Sequence, residues 1–355
     1  MTQQNADAPI PAFLHDQLEA AYQAEVVQRL LDGYRAAASR PVTLRANTLK
    51  ADAETVAGAL GRVGIGFTRV PWYEDAFVLD DAVSERDVWT LDIYREGAVY
   101  LQSLSSMTPP LALGPRAGAD ALDMCAAPGG KTSQMAALEP EAHITACELS
   151  APRAEKLTYN LQKLGARNVQ VMKTDARRLD EFFSFDQILL DAPCTGTGTV
   201  RAGDPRAEKR ITAQLLAKVT RSQAQLLDRA LTVLKPGGEL VYSTCSVLPQ
   251  ENEEQVRSAL KAKRHRDCEL VPLNLDAAWT EGDFALPLLE NGLPGTLTIA
   301  PAQYFEGFYI AKIKKARLRK RPRERAADNG VTADGTRRER PAGPRRRREN
   351  GRAER

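Results

Sequence analysis

Between residues 11 and 38 the apolar positions Phe13, Leu14, Leu18, Tyr22, Val26, Leu30, Leu31 and Tyr34 recur at helical spacing. From Pro41 to Leu49 the pattern switches to the alternation of a strand that ends in a turn. Asp52 stands where it can cap a short helix over 54–60, and short strands are expected at 67–72 and 77–79. These elements predict a small α+β unit over residues 1–115. Pro109-Pro110 and Gly114-Pro115 read as its junction with a second domain.

From residue 119 the pattern becomes regular. Apolar strands at 119–125, 143–149, 169–174, 185–190 and 239–243 alternate with helices at 131–138, 151–164, 210–234 and 250–262. The longest helix carries Leu215, Val219, Leu226, Leu227, Ala230, Leu231 and Leu234 on one stripe and is expected to stop at Lys235-Pro-Gly-Gly. Near-continuous apolar strands between amphipathic helices imply a parallel sheet covered on both faces. Two closing strands are expected at 296–300 and 308–313. Such sheets bind ligands beyond the carboxyl ends of their strands.

The stretch 120–131, Asp-Ala-Leu-Asp-Met-Cys-Ala-Ala-Pro-Gly-Gly-Lys, reads as a strand breaking into a Gly-rich turn and then a helix. It fails the Walker signature, because Cys125 stands where the first Gly should be. It fails the dinucleotide signature too, because Gly129 and Gly130 are adjacent with no third Gly after them. What remains is a plain turn, or a loop for a nucleotide-like ligand other than a triphosphate or NAD.

The other strand ends favour the loop. They carry Glu148, Asp175, Asp191-Ala-Pro-Cys194 and Ser243-Thr-Cys245-Ser. Glu148 follows the Gly pair by about 18 residues, the offset at which a carboxylate accepts ribose hydroxyls, although alone it is also an ordinary surface Glu. Asp175 ends the third strand, where an adenine edge would lie. Cys125, Cys147 and Cys268 read as small buried hydrophobes. Cys194 and Cys245 instead stand where the sheet opens to ligand. A reactive thiol needs an electropositive setting, which Lys131 and a nearby helix N-terminus could provide.

No apolar run approaches the ~18 residues of a membrane span, and the first residues lack the basic and apolar parts of a signal peptide. Five cysteines without a C-x-x-C pair argue against a disulfide framework and a zinc site, and three scattered histidines offer no metal cluster. A cytoplasmic protein is expected, with no membrane and no metal partner, acting as a monomer. The net charge of +3 splits into +9 over residues 317–355 and −6 over the preceding 316. That tail has almost no large apolar residues and is expected to be disordered, serving either as a solvated appendage or as a basic arm that attracts nucleic acid.

Leu-Asp-Met-Cys-Ala-Ala-Pro-Gly-Gly-Lys-Thr at 122–132, Leu-Leu-Asp-Ala-Pro-Cys-Thr-Gly-Thr-Gly at 189–198 and Leu-Val-Tyr-Ser-Thr-Cys-Ser-Val-Leu-Pro-Gln-Glu-Asn-Glu at 240–253 resemble the Nop/Sun family of RNA cytosine-C5 methyltransferases in order, spacing and strand placement. Leu44-Arg-Ala-Asn-Thr-Leu-Lys and Gly307-Phe-Tyr-Ile-Ala-Lys are similar to weaker family elements. The resemblance covers residues 40–315. It implies an α/β fold: a Rossmann-like class I methyltransferase sheet over 116–316, a small N-terminal α+β domain that docks RNA, and the basic tail.

It also implies S-adenosylmethionine as cofactor, bound by Cys125, Ala126, Ala127, Pro128, Gly129, Gly130 and Lys131 with Glu148, Asp175 and Asp191. The catalytic set would be Cys245 as nucleophile on carbon 6 of cytosine, Cys194 in product release, Asp191 holding the base and Lys131 supporting the pocket electrostatically. Two rival readings are a DNA cytosine-C5 methyltransferase, in which Cys194 would be the nucleophile, and a non-catalytic RNA-binding assembly factor. Ribosomal RNA is the favoured substrate because of the basic tail, with transfer RNA as the alternative.

Overall fold

The computed structural model describes residues 9–317, so the predicted tail, apart from Arg317, lies outside the described residues. The first apolar stripe forms two helices, α1 (Ala12–Ala21) and α2 (Ala24–Ala36), where one helical stretch was expected. The break is at Tyr22, whose backbone is extended and whose hydroxyl donates to the Val247 carbonyl. Leu14, Leu18, Leu30 and Tyr34 are fully buried. They pack on Val200, Ala207, Ile211, Val247 and Leu248, which belong to the loops that follow Cys194 and Cys245. His15, Asp16 and Glu19 of α1 lie close enough to share a cation, a grouping the sequence did not suggest.

A four-stranded antiparallel sheet comes next. Its strands are β1 (Thr43–Ala46), β2 (Phe67–Val70), β3 (Tyr73–Leu79) and β4 (Val99–Leu101), in the order β2-β3-β1-β4. Helices α3 (Ala53–Arg62), α4 (Glu85–Thr90) and α5 (Asp92–Arg95) connect them. Asp52 caps α3 as expected, accepting from the Thr55 N–H at 2.8 Å. The Arg-Ala-Asn element straps this sheet to the larger one. Buried Arg45 donates to Ser133 Oγ at 3.2 Å, and Asn47 Nδ2 donates to the carbonyls of Gly97 and Leu164 at 2.8 and 2.7 Å.

The Pro-rich junction is a helix, α6 (Leu104–Leu113), with Pro109 and Pro110 inside it. A proline in a helix frees the carbonyl four residues earlier. Here the freed carbonyls find side chains instead. Ser105 O accepts from Thr108 Oγ1 at 2.6 Å, and Ser106 O accepts from Gln102 Nε2 at 3.1 Å. Composition alone reads Pro-Pro as a break; two local polar side chains make it tolerable.

The large sheet is built from β5 (Asp120–Asp123), α7 (Gly130–Leu138), β6 (His143–Cys147), α8 (Ala151–Leu164), β7 (Val169–Met172) and β8 (Phe185–Asp191). The short helix α9 (Pro205–Arg210) and the long α10 (Ala213–Val233) lead to β9 (Leu234–Thr244). The chain then runs through α11 (Glu253–Lys261), β10 (Cys268–Val271), α12 (Ala277–Thr280), β11 (Leu288–Leu289), β12 (Leu297–Ile299) and β13 (Phe308–Lys315). The strand order is β11-β12-β13-β9-β8-β5-β6-β7, with β10 beside β13. Strands β5 to β9 are mutually parallel and β13 is antiparallel to β9, so the Rossmann-like sheet expected from the sequence is borne out.

Two details differ from expectation. The expected helix 210–234 is α10 preceded by the separate α9. Lys235-Pro-Gly-Gly lies within the irregular start of β9, where the register against β8 jumps from Phe185↔Leu234 to Gln187↔Glu239. Chain order reverses between β5 and β8: after β7 the chain crosses back to the other side of β5. A cleft at the carboxyl ends of β5 and β8 is the place this topology reserves for ligand.

Candidate active site

β8 and β9 pair in parallel with Asp191 beside Ser243, so the two cysteine loops leave the sheet side by side. Cys194 Sγ and Cys245 Sγ are 3.1 Å apart. Cys245 lines a cleft of about 650 Å³ together with Lys131, Asp191, Tyr100, Phe308 and Arg201; Cys194 is not among the lining residues. The cleft is walled on one side by Thr43, Tyr100 and Gln102 of the small sheet and its flank.

The loop carrying Cys194 is held by backbone contacts. Gly198 N–H donates to the Cys245 carbonyl at 3.0 Å, and Gly307 N–H donates to Gly198 O at 2.8 Å. A Cβ on Gly198 would stand 2.0 Å from the Gly307 carbonyl oxygen, so no larger residue fits there. Beneath the loops sits the fully buried Glu251. One of its carboxylate oxygens accepts from the hydroxyls of Thr195 and Ser246; the other accepts from the Thr195 N–H at 2.8 Å and Gln223 Nε2 at 3.1 Å. Glu251 thus grips the residue after each cysteine.

Lys131 is the second residue of α7. Its Nζ is 2.8 Å from Asp191 Oδ2, donates to Ser106 Oγ at 2.8 Å and lies 5.2 Å from the Phe308 ring centroid. The other Asp191 oxygen accepts from Ser243 Oγ at 2.9 Å. Burial alone would lower the Lys131 pKa, but the charge and hydrogen bond of Asp191, with Cys245 and Asp123 beyond, raise it above the ordinary lysine value. Lys131 is therefore a fixed cation facing Cys245. The hydrogen bond to Cys245, then burial, then negative charge on Cys245, Glu251 and Asp191 push the Cys194 thiol well above its usual range.

The loop from Cys125 to Gly130 separates this cleft from a second cavity of about 190 Å³. Gly129 adopts φ 110°, a left-handed conformation that starts α7 and that a side chain would strain. The second cavity is lined by Met124, Leu149, Pro193 and Leu226, with Glu148 and Asp175 at the ends of adjacent strands. Glu148 is buried; its Oε1 accepts from the Ser150 N–H at 2.9 Å, and Arg153 faces Oε2 at 3.4 Å. Asp175 is gripped by Arg177 through both carboxylate oxygens, at 2.9 and 2.8 Å, chiefly lowering its pKa through that hydrogen bond.

Cys125 lines both cavities, and burial followed by the charge of Asp123 pushes its thiol well up. Asp123 is itself buried, accepts from Thr132 Oγ1 at 2.6 Å, and is pushed up to about 6, mainly by burial. The structure thus gathers Lys131, Asp191, Cys194 and Cys245 into one cluster and places Glu148 and Asp175 in the adjoining cavity. The sequence did not single out Glu251, Ser106 or Phe308. Glu251 stands inside the Pro-Gln-Glu-Asn-Glu run, whose local pattern carries no sign of the loops it holds.

Residues 110–314 match the family described as 16S rRNA methyltransferase RsmB/F, and residues 10–85 match the RsmF/B-like ferredoxin-like domain. Ribosomal RNA small subunit methyltransferase F of Cronobacter sakazakii is 36% identical over 294 residues, covering 80% of this chain and 59% of that protein. The human 28S rRNA (cytosine(4447)-C(5))-methyltransferase is 37% identical, covering 78% of this chain and 34% of that protein. A methyltransferase homolog protein from Pyrococcus horikoshii superposes with a TM-score of 0.67 at 33% identity, covering 86% of this chain and all of that one. The chain spans about three fifths of the length of the bacterial F-type relatives it matches. The resemblance read from the three motifs therefore holds, and the chain belongs to the RsmB/F family of 16S rRNA methyltransferases.

Proposed function

We propose that this protein methylates carbon 5 of a cytosine in ribosomal RNA with S-adenosylmethionine as methyl donor. The observation that carries the reading is the placement of the two thiols. Cys245 opens on the large cleft beside Lys131 and Asp191, and Cys194 stands behind it at 3.1 Å. The family and the names of the relatives point to rRNA.

The residues of the second cavity fit an adenosyl group. Glu148 and Asp175 are acceptors at neighbouring strand ends, Leu149, Leu226 and Met124 offer apolar walls, and the turn at Gly129 brings backbone close. S-adenosylmethionine supplies an electrophilic methyl group there. Carbon 5 of cytosine is too weak a nucleophile to take it unaided. The Cys245 thiolate, stabilised by the Lys131 cation, forms a bond to carbon 6, and the electron density this releases makes carbon 5 enamine-like. Asp191, aligned by Lys131 and Ser243, holds the amino group and ring nitrogen 3 of the base. After transfer the carbon-5 proton passes to water, the electron pair of that C–H bond re-forms the carbon 5–carbon 6 double bond, and the Cys245 sulfur leaves carbon 6 as the thiolate. Cys194, within reach of the Cys245 sulfur, assists that last step. The small sheet lining the cleft docks the RNA strand, and the work is done in the cytoplasm; among the described residues no helix is long and apolar enough to cross a membrane.

The test is methyl transfer from tritiated S-adenosylmethionine to separated rRNA and tRNA fractions, followed by bisulfite sequencing. New 5-methylcytosine in the rRNA fraction, absent with Cys245→Ala, is expected. Label confined to tRNA would overturn the substrate, and label in neither fraction the activity.

A further inference from the structure

The segment between the Cys194 loop and α10, residues 200–211, has no part in the chemistry above. Its fold is nevertheless tightly specified. Val200, Ala207 and Ile211 are buried against Leu14, Leu18, Leu30 and Tyr34 of α1 and α2. Ala202 N–H donates to Tyr34 O at 3.0 Å, and Gly203 N–H donates to Pro9 O at 2.9 Å. The two acidic side chains of the segment are engaged by backbone donors: Asp204 accepts from the Arg206 N–H at 2.9 Å and Glu208 from the Ala12 N–H at 3.2 Å.

Its four cations are not engaged. Arg201, Arg206, Lys209 and Arg210 are all exposed, and among the described residues none has a hydrogen bond or an ion pair through its side chain. Arg201 lines the same cleft as Cys245, Lys131 and Asp191. Arg210 Nη2 lies 3.9 Å from where a Cβ on Gly196 would stand, over the Cys194 loop. Arg40, only 5% exposed in its side chain and ion-paired to Glu306 at 3.9 Å, lines the cleft as well. These charges stand out against a chain that carries −6 over its first 316 residues. Unpaired cations on a backbone anchored beside a reactive cleft, on an otherwise acidic body, focus an approaching polyanion on that cleft.

We propose that Arg201, Arg206, Lys209 and Arg210 form the track for the phosphate backbone of the RNA strand that carries the target base. What passes along a row of cations starting inside the reactive cleft must be the strand whose base enters it. The helical pair α1–α2 is then the buttress that holds this track in place. The assignment rests on the RNA-methylating reading above for the identity of the polyanion.

The test compares the wild-type protein with the combined variant Arg201→Gln, Arg206→Gln, Lys209→Gln and Arg210→Gln. A control carries the same charge change at Arg62, Lys261, Lys263 and Arg266, which are exposed elsewhere. Binding of a fluorescent single-stranded, cytidine-rich RNA is followed from 50 to 200 mM KCl. Each phosphate contact on a single strand adds about 0.7 to the slope of log affinity against log salt. Loss of four contacts should flatten that slope by about 3, so the wild type should lose roughly 50-fold more affinity than the variant over this range. S-adenosylmethionine affinity by calorimetry should be unchanged in the variant, and the control should keep the wild-type slope. A slope unchanged in the variant, or flattened equally in the control, overturns the track. Binding needs no turnover, so the slope is read even if the wild type transfers no methyl group to RNA; that failure would remove the activity and leave the track standing.

Discussion

Replacing Glu251 separates its two contributions, a structural one and an electrostatic one. In Glu251→Ala the two hydroxyl donors, Thr195 Oγ1 and Ser246 Oγ, can rotate, and Ser246 already has Thr197 Oγ1 at 2.8 Å as an alternative. The Thr195 N–H is fixed and buried and loses its partner, whereas Gln223 Nε2 keeps the Pro193 carbonyl at 3.0 Å. An unsatisfied buried donor costs about 1–3 kcal/mol, a large share of the roughly 5–15 kcal/mol that holds a typical domain. Glu251→Gln behaves differently. Its amide oxygen can take the position that faces the two N–H donors, and its NH₂ group the position that faces the two hydroxyls, which turn round and accept. The cost should fall to about 1 kcal/mol. What Gln removes is the negative charge, one of the causes that raise the Cys194 thiol above its usual range. Urea melts of both variants, with covalent enzyme–RNA adduct trapped at several pH values, read the two effects apart. The Ala variant should be strongly destabilised, and the Gln variant folded with adduct turnover shifted to lower pH. An Ala variant within 0.5 kcal/mol of wild type, on the order of a neutral surface change, would refute the structural reasoning. A Gln variant with the wild-type pH profile would refute the electrostatic part.

Four further outcomes are expected. Cys245→Ala should give neither methylation nor adduct, whereas Cys194→Ala should transfer the methyl group and then accumulate an adduct that survives denaturing electrophoresis; the reverse pattern would exchange their roles. Glu148→Ala should weaken S-adenosylmethionine binding by about a hundredfold or more, the loss of two hydrogen bonds to a charged group at about 1.5–3 kcal/mol each, as read by calorimetry. Asp123 has a folded pKa raised to about 6 from 3.8, so its contribution to stability is fully present below pH 3.8 and is lost as pH rises through 6, by about 3 kcal/mol; Asp123→Asn should flatten that dependence, and parallel wild-type and variant melting curves from pH 4 to 8 would contradict it. Gly198→Ala should lower the melting temperature and slow methylation together, since its Cβ meets the Gly307 carbonyl at 2.0 Å.

The parts of the site that lie at the ends of single strand–turn–helix units were legible in the sequence. Asp191, Cys194, Cys245 and Lys131 each stand at a break between an apolar run and a turn, and a parallel sheet brings such breaks together whatever the helices do. Ser106 and Phe308 were not legible, because they reach Lys131 from a helix that Pro109-Pro110 concealed and from a strand 177 residues further on. Glu251 obeys the same logic, since its partners at Thr195 and Gln223 lie 56 and 28 residues away. The two-helix start was missed for a different reason: its apolar stripe is continuous across Tyr22, and only tertiary packing of that side chain at Val247 breaks the helix.

The cleft is assembled from opposite ends of the described chain. Arg40 donates to the carbonyls of Ala302 and Phe305, Gly33 abuts Pro301 so closely that no side chain fits between, and Phe308 completes the surroundings of Lys131. During synthesis the ribosome therefore releases Cys194 and Cys245 well before the residues that finish their surroundings. A growing chain halted anywhere short of Gly307 lacks the backbone N–H that pins the Cys194 loop, so it carries both thiols without their complete frame. The complete cleft is therefore acquired in one late step of translation, once β13 has emerged.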